Sequence, residues 1–283
     1  MSIETRGGPP VSRLLEQTTA FAVRTLQTLR RNGAVAFWAV AFPAMFYLLS
    51  VYLFIDTSGM PAEVVSAVKA TNAVSYGTFA ALTVFLNTFS QSLVADVEDG
   101  RYLQFRALPV SPAADFLGRF AAAYLFAVAA VLAVLGVGVA TGAEFALRSA
   151  ASIPVALLGL LALGLFAASI AVVLVAVVPD AKFASIVAVS VVMLAFFLTG
   201  YNGIQPGMLA GAADFVNVVP NALATRLAVH HLVAAGGWAQ AGLAPPGAPT
   251  SAGHVALLAG YAVAGLALAV AATRRSLYGG EVR

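Results

Sequence analysis

Six stretches of the chain are apolar and long enough to cross a bilayer as helices. They cover residues 34–55, 72–95, 120–140, 153–178, 183–204 and 255–272, and none contains Asp, Glu, Lys, Arg or His. A span needs about 20 mostly apolar residues to cross a hydrocarbon core about 30 Å thick. Because lipid offers backbone groups no hydrogen-bond partners, each stretch is predicted to be an α-helix.

Composition narrows the class of protein further. Hydrophobic residues make up 61% of the 283 residues and charged residues only 10%, against roughly 25% charged in soluble domains. This balance excludes a soluble enzyme or a nucleic-acid-binding protein, and the absence of cysteine excludes disulfides and thiol catalysis. The sequence predicts an all-α integral membrane protein with six transmembrane helices in a single domain.

The basic residues are distributed unevenly between the two sides of the membrane. With the N-terminus placed inside, the inner segments hold 12 Lys and Arg residues, while the outer segments hold only Lys69, Arg148 and Arg226. Cytoplasmic loops carry the excess of positive charge, so we expect both termini to be cytoplasmic and the protein to lie in the plasma or inner membrane. The first apolar stretch is long and starts only at residue 34, which predicts a retained anchor rather than a cleaved signal peptide.

Two further segments have helical character without being spans. Residues 12–31 place apolar side chains on one face and most arginines elsewhere, which predicts an amphipathic helix on the inner membrane surface. Residues 1–11 are expected to be mobile. The outer segment before the last span has an apolar half, 207–235, for which we expect a helical hairpin in the outer leaflet; an ordinary outer loop is the alternative.

The inner loop 96–119 carries the densest set of functional residue types. Gly100 is expected to break the helix of the second span, and residues 101–108 are predicted to form about two helical turns that end at Pro109. Ser111 is placed to cap the next helix, with Asp115 in its first turns. A short helix that is limited by Gly100 and Pro109 suits docking into a groove on a soluble partner. The alternative is that the loop is a solvated, charged connector without a partner.

This loop resembles the cytoplasmic signature of the type-two ABC exporter permeases, the membrane subunits that export drugs, lipids and polysaccharides. The family pattern reads Glu-Arg-Glu-x-Gly-Thr-Leu-Lys-Arg-Leu-Arg-Ala-Thr-Pro-Leu-Ser, with Gly-Lys some residues later. The positions that match are Asp96, Glu98, Gly100, Arg106, Ala107, Pro109, Val110, Ser111, Gly118 and Arg119. The chain departs from the pattern at Arg101, Leu103, Gln104 and Leu108. Leu103 and Gln104 stand where the family has a basic pair, which bears on the detailed contacts with the ATPase. The six spans, the surface helix and the outer hairpin also resemble the family plan.

The resemblance implies a transport subunit that has no ATPase site of its own. It implies a second permease chain, most simply a homodimer, and two copies of an ABC ATPase subunit, on which ATP and Mg would bind. The chain itself has no P-loop, and its only lysines, Lys69 and Lys182, lack the required glycine pattern. The residues that the resemblance assigns to coupling with the ATPase are Asp96, Glu98, Asp99, Gly100, Arg101, Arg106, Pro109 and Ser111.

The second span is polar along one side, which indicates a possible substrate path. Asn72, Tyr76, Thr83, Asn87 and Gln91 fall within about 100° of helical arc. They are expected either to line the path or to bond to neighbouring helices inside the bundle. The resemblance also implies that the fifth span lies along the path, with contacts near its outer end from Phe196, Phe197, Thr199, Tyr201 and Asn202. Without the resemblance, the aromatic residues would be interpreted as belt residues at the membrane interface.

Other functions remain open at this point. An ion-coupled secondary transporter normally carries an intramembrane carboxylate or histidine, and the six stretches have none. A membrane enzyme acting on lipid would need acids, histidines or metal ligands together at the membrane face. The histidines His230, His231 and His254 are predicted to lie outside without a nearby acid, so we expect no metal site. Uncharged spans favour a hydrophobic or amphipathic substrate.

Overall fold

A computed structural model describes residues 10–178, 181–197, 213–233 and 247–279. Within these ranges the chain forms helices and turns, with no β-strand. The helices are α1 (Pro10–Arg31), α2 (Gly33–Phe54), α3 (Ala62–Glu98), α4 (Arg101–Ala107), α5 (Pro112–Ala140), α6 (Ser152–Val177), α7 (Ala181–Phe197), α8 (Pro220–Leu232) and α9 (Ala252–Tyr278). The all-α class predicted from the sequence is confirmed.

Five of these helices, α2, α3, α5, α6 and α9, are long and apolar enough to cross a membrane. The fifth predicted span corresponds to α7, of which 17 residues are described, and its continuation to residue 204 lies outside the described residues. The helices α3 and α5 begin earlier than the predicted spans. Helix α3 starts directly after Pro61, and α5 starts at Pro112, a position where the N–H that proline lacks would have no partner within the helix. Most of the expected loop 56–71 is therefore helical.

The most polar span, α3, occupies the centre of the bundle. It packs against α2, α5, α6, α7 and α8, and it is the most deeply buried of the five. Several of its hydroxyl and amide groups donate to the carbonyl oxygen one turn earlier in the same helix, including those of Asn72, Thr78 and Thr83, at 2.9–3.1 Å. These local bonds satisfy polar groups where water is absent.

Close contacts hold α1 against α5 and α9 against α6. At Gly118 of α5, a Cβ atom would lie 2.4 Å from the carbonyl oxygen of Thr18 and 2.5 Å from Cβ of Phe21. At Gly265 of α9, it would lie 2.8 Å from the carbonyl oxygen of Leu165. Small residues at such crossings let helix backbones approach closely. The helix predicted over residues 12–31 is thus present and packs on α5; its position on a membrane surface stays a prediction.

The segment after the fifth span is described in part. A 3₁₀ turn, Ala213–Asn217, leads into α8, which packs on α6. Arg226 of α8 is fully buried and donates from Nε to the side-chain oxygen of Asn217 at 2.9 Å. Residues 198–212 and 234–246 lie outside the described residues, so the expected hairpin over 207–235 stays a prediction. The same holds for the expected mobility of residues 1–11, of which only Pro10 and Val11 are described.

Candidate functional site

The short helix α4 is fixed by residues at both of its ends. Gly100 has a φ of 67°, the left-handed conformation that lets the chain leave α3 and begin α4 at once. At the other end, the side-chain oxygen of Ser111 caps α5 by accepting from the backbone nitrogen of Ala114 at 3.4 Å. Gln17 of α1 donates to the carbonyl oxygen of Pro109 and accepts from the backbone nitrogen of Ser111, both at 2.9 Å. The stops predicted around α4 are therefore in place.

Five charged side chains at this end of the bundle form one connected group, called the charged cluster: Arg24, Asp96, Arg101, Asp115 and Arg119. Asp96 is 2% exposed and pairs with Arg24 at 2.5 Å, with Arg101 at 2.7 Å and with Arg119. Arg119 is as deeply buried as Asp96 and also donates from Nε to Asp115 at 2.5 Å. The cluster therefore ties together α1, α3, α4 and α5.

Two tyrosines complete the partners of the buried carboxylates. The hydroxyl groups of Tyr102 and Tyr278 donate to Oδ2 of Asp115 at 3.1 and 3.3 Å. Burial raises the pKa of Tyr102 well above its usual range, and Asp115 adds to this rise while Arg119 opposes it. The hydroxyl of Tyr102 is therefore kept as a donor. A buried charge without partners costs several kcal/mol, so the complete pairing is what allows these groups to be buried.

Arg106 joins α4 to the last helix. Its Nε and Nη2 atoms donate to the carbonyl oxygen of Leu277 at 3.0 and 2.7 Å. The rings of Tyr102 and Tyr278 lie edge to face beside this contact, with centroids 5.5 Å apart. Because α1 and the end of α9 both contact this region, the described N-terminal and C-terminal helices meet at the same end of the bundle.

The remaining face of α4 is open. Leu103 is 68% exposed and Leu108 is 57% exposed, and the neighbouring Glu98 and Asp99 are exposed at the end of α3. Arg101 bridges the two regions because its Nη2 atom lies 3.1 Å from Asp99 as well. An exposed face that mixes apolar and charged groups has the composition of a contact surface for another protein.

The predicted polar side of α3 is divided between two environments. Tyr76 packs against Phe196 of α7, with ring centroids 5.1 Å apart, and Phe196 also lies 4.7 Å from Phe79. Nearer to the charged cluster, Thr83, Asn87 and Gln91 line a cavity of about 270 Å³ between α2, α3 and α7. Asn72, in contrast, bonds within its own helix.

This cavity, called the α2–α3–α7 cavity, combines a polar wall with apolar ones. Thr83 donates to the carbonyl oxygen of its own turn at 3.0 Å, and Gln91 donates to Oδ1 of Asn87 at 2.9 Å. The other walls come from Trp38, Phe42, Phe79, Val189, Val192 and Met193. Of the predicted fifth-span residues, Phe196 is buried and Phe197 is exposed beside it, whereas Thr199, Tyr201 and Asn202 lie outside the described residues.

The buried part of this site was not predicted from the sequence. Arg24, Asp115 and Arg119 were not assigned to it, although Asp115 and Arg119 are four residues apart in a helix, a spacing that pairs opposite charges on one face. That spacing was an available signal. The pairing of Arg24 with Asp96 spans 72 residues of sequence, and no local pattern indicates it. Asp96, which the resemblance assigns to coupling with the ATPase, pairs with three arginines of the chain itself.

The opposite end of the bundle holds the adjacent histidines. Burial lowers the pKa of both His230 and His231, and the positive charge of Arg148 lowers both further. His231 Nδ1 lies 3.3 Å from the hydroxyl of Ser152. Within the described ranges, no three His, Cys, Asp or Glu side chains are grouped so as to hold a metal ion.

These features define a multi-pass, all-α membrane protein whose spans end in a buried charged cluster beside an exposed short helix. A sequence model of the ABC-2 type transporter family matches residues 16–210, more than half of the chain, and the chain belongs to this family. None of the curated proteins matches it significantly. The protein is therefore an ABC-type permease, a membrane transport subunit, and its family implies an ABC ATPase subunit as partner. The resemblance inferred from loop 96–119 is confirmed.

Proposed function

We propose that this chain is the permease of an ATP-driven exporter that moves a hydrophobic or amphipathic molecule, such as a drug, an antibiotic or a lipid-like compound. Two permease chains, most simply two copies of this one, would pair in the membrane and engage two ATPase subunits. ATP and Mg would bind on the ATPase subunits. The distribution of Lys and Arg supports placing the α4 end, and with it both termini, in the cytoplasm.

The observation that carries this proposal is the way α4 is attached to the spans. Gln17, the charged cluster and Arg106 connect α4 and its flanking turns to α1, α3, α5 and α9. A force applied to the exposed face of α4 is thus delivered to the ends of three spanning helices at once. Ion pairs are stronger in a buried, low-dielectric setting than at the surface, so the attachment is stiff where the force enters.

The contact with the ATPase is made by the open face of α4 and the adjacent end of α3. Leu103 and Leu108 provide the apolar part, and Glu98 and Asp99 provide negative charge. In this arrangement the predicted coupling residues have two roles. Glu98 and Asp99 meet the partner, whereas Asp96, Arg101 and Arg106 hold α4 to the spans, and Gly100, Pro109 and Ser111 set its limits.

The α2–α3–α7 cavity is the proposed point of entry to the substrate path. Its aromatic and aliphatic walls suit an apolar body, and Thr83, Asn87 and Gln91 offer hydroxyl and amide groups for a polar end. Tyr76 and Phe196 continue the path toward the opposite end of the bundle. The described residues that line the cavity include no charged side chain, so a molecule with large apolar surface fits it better than an ion or a sugar phosphate.

A gentle-detergent purification of the tagged chain from its native membranes tests the assembly. We expect a soluble partner with a P-loop to be purified with it, and the complex to hydrolyse ATP while the chain alone does not. Vesicles containing the complex should then transport only with ATP, even when the proton gradient is collapsed. A chain that purifies without any ATPase in several detergents would contradict the proposal.

The substrate class needs a separate test. Transport assays with a panel of matched hydrophobic and hydrophilic compounds should show ATP-dependent movement of the hydrophobic members, and Asn87→Leu should alter the order of preference among them. Movement of the hydrophilic compounds alone would overturn the assignment of substrate class while leaving the permease assignment intact.

A further inference from the structure

A second concave feature lies at the end of the bundle opposite the charged cluster. It is a groove of about 190 Å³ between α3, α5, α6 and α8, with walls that include Val74, Val131, Leu160 and Ala228. Among the lining residues that the structure describes, Thr78 is the single polar one, and it donates its hydroxyl hydrogen to the carbonyl oxygen of Val74. The described walls of the groove are thus almost entirely apolar, and the groove is larger than the ~150 Å³ apolar cavity that is known to stay dry and bind benzene.

The groove opens sideways from the bundle and follows the spans. Leu132 on its rim is 61% exposed. Along α6, the lining runs from Ile153 to Leu163, which at 1.5 Å per residue is about 15 Å. This is about half the thickness of a bilayer core. The groove therefore has the length of one leaflet. In a bilayer, its open side would face the hydrocarbon core.

A cation stands at the mouth of the groove. The first lining residue of α6, Ile153, and the last of α8, Leu232, directly follow Ser152 and His231. Arg148 is anchored at this point because its backbone nitrogen donates to the carbonyl oxygen of His231 at 3.2 Å and its Nε donates to that of His230 at 2.9 Å. None of the ion pairs among the described residues uses Arg148.

We propose that this groove is a binding site for one anionic phospholipid of the leaflet at that end, with an acyl chain in the groove and the phosphate at Arg148. The apolar lining and the one-leaflet length of the groove match an acyl chain. The cation at its mouth matches the phosphate of the headgroup. This site is separate from the α2–α3–α7 cavity and does not depend on the transported substrate.

Native mass spectrometry of the detergent-purified chain, with phosphatidylglycerol or phosphatidylcholine added, tests the site. We expect one phosphatidylglycerol to be retained per chain, with about tenfold higher occupancy than phosphatidylcholine. Ala228→Phe on α8 and Ala156→Phe on α6, which each add bulk to the lining of the groove, should each lower that occupancy about tenfold. Ala264→Phe, an exposed position on α9 outside the groove, is the matched control and should leave it unchanged. Arg148→Gln should remove the preference for phosphatidylglycerol but keep the binding of phosphatidylcholine.

Other occupants give different results, each of which would overturn the proposal. If a second copy of the chain covers the groove, Ala228→Phe will lower the dimer fraction and leave lipid occupancy unchanged. If the groove carries transported substrate, the same variant will change substrate-stimulated ATP hydrolysis of the complex at constant lipid occupancy. Equal loss of lipid in Ala228→Phe and Ala264→Phe would mean a nonspecific lipid annulus.

A second measurement keeps the proposal testable if the phenylalanine variants fail to fold. Because the chain has no cysteine, Leu132→Cys on the rim provides a single site for a fluorophore. Phosphatidylglycerol brominated on its acyl chain should quench this fluorophore more than brominated phosphatidylcholine at the same mole fraction. Equal quenching by the two lipids would contradict the proposal, and a fluorophore at Ala264→Cys should show such equality.

Discussion

Arg106 of α4 donates two hydrogen bonds to the backbone carbonyl oxygen of Leu277, so the exposed short helix is held directly to the end of the last span. The donor atoms Nε and Nη2 lie 3.0 and 2.7 Å from this oxygen. Because the acceptor is a backbone carbonyl oxygen, it stays in place when the side chain of Leu277 is replaced. The contact therefore depends on the guanidinium of Arg106. Both atoms belong to one planar fork, which fixes the orientation of α4 as well as its distance from α9.

Replacing Arg106 with Gln should weaken the transmission of force from the ATPase to α9. A hydrogen bond from a charged group is worth about 1.5–3 kcal/mol when buried, and we expect about 1 kcal/mol here because Arg106 is partly in solvent. The variant should insert and assemble normally but transport about fivefold less per ATP hydrolysed. The ratio of transport to ATP hydrolysis in vesicles measures this. Arg106→Lys keeps the charge but lacks the planar guanidinium, so its transport-to-ATP ratio should lie between those of the parent and Arg106→Gln. A parental ratio in Arg106→Gln would rule out a role of Arg106 in coupling.

Arg119 should be the least replaceable residue of the charged cluster. Its removal leaves Asp96 and Asp115 buried with one fewer cation between them, and breaking a buried ion pair costs about 3–5 kcal/mol. Arg119→Ala should therefore lower the melting temperature of the detergent-solubilised chain strongly, and Arg119→Lys less so. Arg101→Ala is the matched control, because Arg101 is partly exposed and shares Asp96 with two other arginines. A similar loss of stability in both alanine variants would contradict the special position of Arg119.

The outer surface of the loop should behave differently from the charged cluster. Glu98→Ala removes an exposed charge beside α4, and Pro109→Ala relaxes the turn whose carbonyl oxygen accepts from Gln17. Both variants should reach the membrane in normal amounts, with their melting temperatures close to that of the parent, yet couple ATP hydrolysis to transport less well. Membrane abundance and the transport-to-ATP ratio are the two measurements. If both variants transport as well as the parent, the loop does not couple.

Local features of the fold were predictable from the sequence, while long-range contacts were not. Gly100, Pro109 and Ser111 act through the backbone of their own turn, so the limits of α4 and the start of α5 follow from residue type and spacing. The pairing of Asp115 with Arg119 was also within reach, since a helix places residues four apart on one face.

The rest of the site depends on helices that are distant in sequence. Arg24 pairs with Asp96 because α1 crosses α5 at Gly118. The hydrophobic periodicity of neither segment predicts that crossing. The same applies to Gln17, which bridges the turn after α4 from 92 residues away. The resemblance assigns charged residues of loop 96–119 to coupling with a partner, whereas most of the charged side chains in this loop bond to other helices of the chain itself.

Stability at the opposite end of the bundle should decrease in mild acid. The pKa values of His230 and His231 lie below the ordinary value of about 6.5, so the unfolded chain takes up protons that the folded chain resists. The stabilisation is complete above the ordinary pKa and is lost as the pH falls through it toward the lowered values. Melting temperatures between pH 8 and pH 5 should show this loss, and the double variant His230→Gln, His231→Gln should have a shallower slope. An unchanged slope in the double variant would assign the acid sensitivity to other groups.

Gly118 should tolerate no side chain, because the backbone of α1 occupies the space that a Cβ atom would need. The nearest atom, the carbonyl oxygen of Thr18, is 2.4 Å from that position, so Gly118→Ala must push α1 away from α5. Overpacking of this kind costs about 1–3 kcal/mol, and the displaced α1 would also strain the pair between Arg24 and Asp96. We expect a lower melting temperature and faster trypsin cleavage at Arg24. Gly136→Ala on the same helix is the matched control, since nothing lies within 4 Å of its Cβ position, and alanine there should be neutral or stabilising by up to about 1 kcal/mol. If both alanine variants melt and are cleaved alike, α1 is not held by this crossing, and the attachment of α4 through Gln17 and Arg24 loses its support.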